Sequence, residues 1–227
     1  MRESILTIPI NEIFEPKEEC PICRMRNMLE TRCVEYIMGA AMMEPDVRIE
    51  TNELGFCYTH FTQMKNCKNR LSLALMLHTH LKKINLDAFE KKSLFAGKSS
   101  KQRKISQVNE SCFVCSKIDW GMERFMVTLF EMFQKDKSFR ELFASQEYIC
   151  LPHYELLLSL SAEKLDKPAA KEFDKTCETL VKNYMASLCG DVGHYCDMYD
   201  YRNTGKDADW GNSKDSIERA IKFLTTR

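Results

Sequence analysis

The sequence predicts an all-α fold made of two related halves, and three observations support this prediction. Gly (8) and Pro (6) are scarce among the 227 residues, which favours helices over a many-stranded β-fold. Apolar residues recur with a helical spacing of three or four residues along most of the chain. A pattern of cysteine and histidine pairs occurs twice in the same order.

The first half is expected to fold as two long helices joined by a loop. The apolar residues of 21–43 share one helical face, and Pro45 is expected to end that helix. Residues 44–56 contain turn-forming residues and are predicted to be a loop. A second helix is predicted over residues 58–83. Its inner face is expected to consist of Leu71, Ala74, Leu75, His78 and Leu81.

A polar segment divides the chain. Residues 97–111 contain few large apolar residues and several basic ones, so they are predicted to be a linker. We therefore expect an N-terminal helical repeat at residues 1–96. A C-terminal repeat with extra helices is expected at residues 112–227.

The second half continues the helical pattern. A wide apolar stripe is expected over residues 120–133. Pro152 and Pro168 suit the first turns of two further helices, because proline is tolerated there. A final helix is predicted over residues 214–224.

Four short motifs alternate along the chain. They are Cys20-x-x-Cys23, Cys57-x-x-His60, Cys112-x-x-Cys115 and Cys150-x-x-His153. The copies are offset by 92 residues (positions 20 and 112) and by 93 residues (positions 57 and 150). Either motif alone is common by chance, but two of each in the same order indicate an internal duplication.

Three cysteines and one histidine are a ligand set typical of zinc, and a gap of two residues lets both side chains of a pair reach one ion. We expect the two pairs of each half to begin neighbouring helices and to meet at one ion. The first Cys3His site would then consist of Cys20, Cys23, Cys57 and His60. The second would consist of Cys112, Cys115, Cys150 and His153. The predicted fold is thus a tandem repeat of two zinc-stapled helical hairpins plus C-terminal helices.

The two zinc ions are expected to be structural, because four protein ligands leave no position for water. An iron–sulfur centre with one histidine ligand is a less favoured alternative. Buried cysteines with coincidental spacing are another. The sequence has no Gly-rich phosphate loop, nucleophile elbow or His-Glu-x-x-His motif. We therefore assign no catalytic or cofactor-binding residues, and the sequence favours a non-enzymatic role.

Targeting signals, cysteine content and charge indicate where the protein is expected to act and which partners are disfavoured. The N-terminus has no basic region followed by a long apolar run, and no stretch approaches 18 uncharged apolar residues. We therefore expect a cytoplasmic protein without membrane association. In a reducing compartment, eleven cysteines indicate metal binding rather than disulfides. The 33 basic and 33 acidic residues argue against a protein that coats nucleic acid.

Several segments resemble a family of uncharacterised bacterial proteins of about this length with tandem Cys-x-x-Cys and Cys-x-x-His motifs, a domain of unknown function. The matching segments are ECPICRMR, EPDVRIETNELGFCYTHF, NRLSLALMLHTHL and YRNTGKDADWGNSKDSIERA. The resemblance spans nearly the whole chain. It implies a bacterial, cytoplasmic protein with paired metal motifs, and it implies no substrate.

The leading functional hypothesis is a zinc-stapled helical module that binds a protein partner or a small ligand. A nucleic-acid-binding regulator is one alternative, which the basic residues of 98–104 favour and the zero net charge opposes. A thiol or zinc redox sensor is another, because Cys-x-x-Cys motifs can be redox active. The sequence specifies neither the partner nor the oligomeric state.

Overall fold

A computed structural model of the chain describes residues 8–90, 98–200, 202 and 209–226. Every regular element among these residues is helical, so the all-α prediction is confirmed. The elements are α1 (Ile8–Phe14), α2 (Pro21–Met38), a 3-10 turn (Ala40–Met43), α3 (Pro45–Leu54), α4 (Tyr58–Asn66), α5 (Arg70–Asn85), a π-helical segment (Leu86–Glu90), α6 (Lys98–Glu110), α7 (Phe113–Lys135), α8 (Lys137–Ala144), α9 (Leu151–Lys164), α10 (Lys167–Asp197), a second 3-10 turn (Gly211–Ser213) and α11 (Ser216–Thr225). None of the described helices combines the length and apolar character needed to cross a lipid bilayer.

The chain divides into two compact units that differ from the expected repeats. One, here called the N/C unit, comprises Met1–Met25 and Arg124–Arg227; the other, the middle unit, comprises Arg26–Glu123. Each unit therefore combines residues from both expected repeats, and a repeat of two hairpins is not confirmed. The expected boundaries at 96 and 112 fall inside the middle unit, because the segments that pack together are not consecutive in sequence.

The expected linker at 97–111 is mostly a helix, α6 (Lys98–Glu110). Most of its residues are polar, but none of them is Gly or Pro. Polarity disfavours burial and does not by itself prevent a helix. The prediction of a linker was therefore wrong about backbone conformation.

The expected loop at 44–56 is largely a helix as well. Pro45 occupies the first turn of α3, where its missing N–H costs nothing, so it begins a helix. The predicted helix over 58–83 is instead two helices, α4 and α5. Asn69 separates them, since its side chain accepts a hydrogen bond from the backbone N–H of Ser72 and caps α5.

The face of α5 that was expected to be buried is exposed to solvent. Leu71, Leu75 and Leu81 are 70%, 41% and 62% exposed. The buried residues of this helix are Ser72, Leu73, Met76 and His80. Both sides of α5 carry apolar residues, so periodicity alone could not identify the inner one. Burial of His80 is favoured by its ring Nδ1, which lies 2.8 Å from the carbonyl oxygen of Asn52.

The middle unit has a core in which the chain segments before α4 and α7 meet. The Phe56 ring packs against Phe61 and Phe113, with centroids 5.3 and 6.2 Å away. The backbone N–H of Phe113 donates to the carbonyl of Gly55 over 2.9 Å. Gly55 has φ +59°, and an added Cβ would lie 2.5 Å from Nε2 of His80, so only glycine fits. These contacts bring the first turns of α4 and α7 together.

The N/C unit has an aromatic core. Phe173 lies 4.8 Å from Phe133 and 5.0 Å from Phe143 between ring centroids. The side-chain amide of Gln146 donates to the carbonyl of Phe14 over 2.7 Å and holds α1 against this core. Pro152 lies in the first turn of α9, as predicted.

Stacked rings position the segment that leads into α9. Tyr148 stacks on Tyr184 of α10 with centroids 4.1 Å apart, and Phe223 of α11 packs on both rings. Phe223 is buried, and α11 begins and ends within two residues of the predicted helix at 214–224. Cys150 follows directly after this anchored segment.

Candidate metal centres

The eight predicted ligands form two clusters. In each cluster, three Sγ atoms and one histidine nitrogen all lie within 4.8 Å of one another. Cluster 1 consists of Cys20, Cys23, Cys150 and His153, and cluster 2 consists of Cys57, His60, Cys112 and Cys115. Cluster 1 belongs to the N/C unit and cluster 2 to the middle unit.

The expected pairing of the motifs was wrong. Each Cys-x-x-Cys pair meets the Cys-x-x-His pair of the other half, and not the one that follows it in sequence. Motif spacing identifies which residues come together, but both pairings give two Cys3His groups with the same offsets. Long-range contacts decide between them, such as the hydrogen bond from the Ser111 hydroxyl to the carbonyl of Leu54.

Cluster 1 lies where two helices begin. Cys20 directly precedes α2 and Cys150 is the N-cap of α9, while Cys23 and His153 lie in the first turns of these helices. Nδ1 of His153 lies 3.1 Å from the sulfur of Cys150, 3.4 Å from that of Cys23 and 3.7 Å from that of Cys20. All four residues are buried. Unpaired N–H groups at helix N-termini favour thiolates at such positions.

The residues of cluster 2 occupy the same positions relative to their helices as those of cluster 1. Cys57 is the N-cap of α4 and Cys112 directly precedes α7, with His60 and Cys115 in the first turns. Nδ1 of His60 lies 3.1, 3.2 and 3.6 Å from the sulfurs of Cys57, Cys112 and Cys115. Cys57 and Cys115 are half-buried, so this cluster is more open to solvent than cluster 1.

A carboxylate contacts the histidine of cluster 2. Oε1 of Glu30, on α2, lies 2.8 Å from Nε2 of His60, and the two side chains are 21% and 3% exposed. In the described part of the chain, no carboxylate contacts the ring of His153. Sequence reasoning missed Glu30, because nothing in the sequence distinguishes it from Glu35, the other acidic residue of α2.

In cluster 2, a hydrogen bond between His60 and Cys112 stabilises a positive imidazole and a negative thiolate next to each other. Burial opposes a charge on His60, but its hydrogen bond to Cys112 and the nearby sulfur charges raise the pKa of His60 to about 9. Burial also raises the pKa of Cys112, but the hydrogen bonds from His60, Cys115 and Cys57 together outweigh burial and lower this pKa to about 6. Burial and the hydrogen bond to Cys112 raise the pKa of Cys115 to about 12.

Cluster 1 concentrates its negative charge on Cys20. Burial alone would raise the pKa of this thiol, but hydrogen bonds from Cys150, Cys23 and His153 outweigh burial and lower it well below the usual value. The hydrogen bond to Cys20 raises the pKa of Cys150 to about 12. Both clusters therefore stabilise a thiolate, which is the form that binds metal ions.

The S···N distances in both clusters are compatible with a tetrahedral metal ion. Zinc bonds of about 2.3 Å to sulfur and about 2.0–2.1 Å to nitrogen give S···N edges of about 3.6 Å and S···S edges of about 3.8 Å. The S···N distances of 3.1–3.7 Å and the 3.7 Å between the sulfurs of Cys23 and Cys150 are close to these values. The other distances between ligand atoms within each cluster do not exceed 4.8 Å.

Among the comparisons with known proteins, one gives a match and two give none. No similar protein was found among curated proteins, and no similar fold among solved structures. The sequence model of one family matches residues 1–227. The chain therefore belongs to the family of unknown function DUF6062.

Proposed function

We propose that each cluster binds one Zn²⁺ ion and that both ions are structural. The single observation that carries this proposal is the convergence of three sulfurs and one imidazole nitrogen, twice, at distances that suit a tetrahedral ion. Four protein ligands leave no position for water or substrate. Metal binding then contributes directly to folding, by on the order of 10 kcal/mol per site in small zinc domains.

Metal analysis of the purified chain tests this assignment. We expect two zinc ions per chain by mass spectrometry, and one in each of the variants Cys23→Ser and Cys115→Ser. The matched control Cys189→Ser changes an exposed cysteine outside both clusters and should keep two ions. Iron with acid-labile sulfide would instead support the iron–sulfur alternative, and a metal-free chain would contradict both.

We further propose that the zinc-stapled scaffold binds an acidic protein partner through the outer face of α5. This face consists of Leu71, Ala74, Leu75, His78 and Leu81, all of them exposed. Helices that are apolar on both sides are normally buried on both sides, so a free face of this kind indicates a binding surface. An amphipathic helix with an apolar stripe would cover it.

The charges around α5 favour an acidic partner. Residues 54–86 contain no Asp or Glu, although acidic residues are frequent elsewhere in the chain. Lys68 and Arg70 lie at one end of α5 and Lys82 at the other, and all three are exposed. Two copies of this face would repel each other, whereas acidic residues flanking a partner's apolar stripe would complement it. Nucleic acid would leave the leucines of this face without apolar contacts.

Site-specific photo-crosslinking in cells tests the surface. A photoreactive residue at His78 should crosslink to a peptide with acidic residues around an apolar stripe, and the variant Lys68→Glu/Lys82→Glu should abolish that crosslink. The control position is Lys171, which is exposed on α10 in the N/C unit. The same adduct from both positions, or an adduct with nucleic acid or lipid, would contradict the proposal.

One observation favours a second function, a thiol-based redox sensor. Cys57 and Cys115 are half-buried, so a small oxidant has access to cluster 2. Hydrogen peroxide would oxidise two thiolates to a disulfide, consume two protons, form two water molecules and release Zn²⁺. Zinc release together with a disulfide mapped to cluster 2 would support this function. Zinc retained after Cys189 has been oxidised would argue against it.

A further inference from the structure

Glu30 contacts the imidazole of cluster 2 on the side away from the sulfurs. Its Oε1 atom lies 2.8 Å from Nε2 of His60, while Nδ1 of the same ring faces the three sulfurs. If Nδ1 binds a metal, its lone pair is used and the proton of the neutral ring must be on Nε2. Nε2 then donates its hydrogen bond to the carboxylate of Glu30.

We propose that Glu30 is a positioning residue that fixes the tautomer and orientation of His60 and thereby strengthens zinc binding at cluster 2. The inference rests on the zinc assignment above. A carboxylate that accepts the second N–H of a ligand imidazole holds the ring in place and makes the nitrogen facing the metal more basic. Removing such a partner typically weakens metal binding by about 10- to 100-fold.

The position of Glu30 on α2 makes the carboxylate a rigid support. Val34, one turn further on, and Ile37 are buried in the core of the middle unit. Leu29 approaches α7 so closely that a Cβ at Gly121 would lie 2.9 Å from its Cδ1. Helix α2 is therefore fixed against α7, which carries Cys115. The carboxylate and the sulfurs are held by elements that pack on one another.

Cluster 1 provides an internal comparison. It has the same ligand types and the same placement at helix N-termini, but in the described residues it lacks a carboxylate at its histidine. A change at Glu30 should therefore act on one site and leave the other unchanged. A general loss of folding stability would affect both sites.

The test measures zinc affinity of the full chain by competition with a chromophoric chelator, for Glu30→Ala, Glu30→Gln and the control Glu35→Ala. Glu35 is an exposed carboxylate on the same helix. The single-site variants Cys23→Ser and Cys115→Ser assign each binding phase to a cluster. Nitrogen-edited NMR follows the proton on Nε2 of His60 in the zinc-loaded protein.

We expect Glu30→Ala to weaken the cluster 2 phase by about 10- to 100-fold and to expose the His60 Nε2 proton to solvent exchange. Glu30→Gln keeps an acceptor oxygen, so it should restore the protected proton and part of the affinity. Cluster 1 and Glu35→Ala should match the wild type. If Glu30→Ala fails to fold, Glu30→Gln alone should show a weaker cluster 2 phase.

The positioning role would be overturned by a cluster 2 affinity within about two-fold of the wild type in both Glu30 variants. Equal weakening of both clusters would also overturn it, since the effect would then be global. Wild-type protein that binds no zinc would instead disprove the metal assignment itself.

Discussion

Clusters 1 and 2 use the same donors at the same places in their helices, yet their surroundings differ. Cluster 1 is fully buried beside the stacked tyrosines of the N/C unit. Cluster 2 has two half-buried cysteines and a carboxylate on its histidine. The comparison teaches that the same donor set can have different surroundings, so the two clusters are expected to differ in how tightly and how accessibly they would hold an ion.

The largest expected effect comes from removing a ligand of the buried cluster. Cys23→Ser should destabilise the protein by several kcal/mol and more than Cys115→Ser does, because it leaves three buried polar ligands without a metal. Thermal unfolding followed by circular dichroism measures the difference. Equal losses in the two variants would show that burial does not distinguish the clusters.

The next largest effect is expected from a backbone change that affects cluster 2 and leaves cluster 1 unchanged. In Gly55→Ala, the new Cβ would clash with His80 and the φ of +59° would be strained, costing about 1–3 kcal/mol. Because the carbonyl of Gly55 accepts the N–H of Phe113, the two halves of cluster 2 should shift apart. Zinc content should fall toward one ion per chain with cluster 1 intact. Two tightly bound ions would contradict this.

Chelator kinetics should resolve the two ions. The half-buried sulfurs of Cys57 and Cys115 allow a chelator to attack cluster 2, so its ion should leave roughly ten times faster than that of cluster 1, an order-of-magnitude expectation from thiol accessibility. Two kinetic phases should appear, and Cys115→Ser should remove the fast one. A single phase in the wild type would mean that both ions are equally protected.

The smallest effect concerns thiol reactivity in the metal-free protein. With a pKa of about 6, Cys112 is a thiolate at pH 7, whereas Cys115, with a pKa of about 12, is not. A thiolate-selective alkylating reagent should therefore modify Cys112 several-fold faster, although it is the more buried of the two. The preference should disappear as the pH falls below 6, because Cys112 then takes up a proton. Mass spectrometry measures each rate.

Zinc loading serves as the control for that experiment, since bound zinc should protect both cysteines of cluster 2. Faster modification of Cys115 at pH 7 would show that exposure outweighs ionisation. In cluster 1, Cys20 should stay unmodified in spite of its lowered pKa, because it is fully buried.

The eight clustered residues could be predicted from sequence, but the pairing of their motifs could not. All eight residues lie in short motifs whose spacing reflects one helical turn, which is a local property. The choice between Cys57 and Cys150 as a partner for Cys20 depends on packing between distant segments. The orientation of α5 is a similar case, because leucines such as Leu71 and Leu73 occur on both of its sides. The contact of Glu30 with His60 could not be predicted, because a hydrogen bond between residues thirty positions apart produces no recognisable sequence pattern.

The crossed pairing joins parts of the chain that lie far apart in sequence. Cys23 and Cys150 of cluster 1 are 127 residues apart, and His60 and Cys112 of cluster 2 are 52 residues apart. An ion bound in each cluster would therefore close a long chain loop, and the shorter loop is contained within the longer one in sequence. Because the entropy of loop closure grows only slowly with loop length, closing the longer loop costs only about 0.8 kcal/mol more than closing the shorter one.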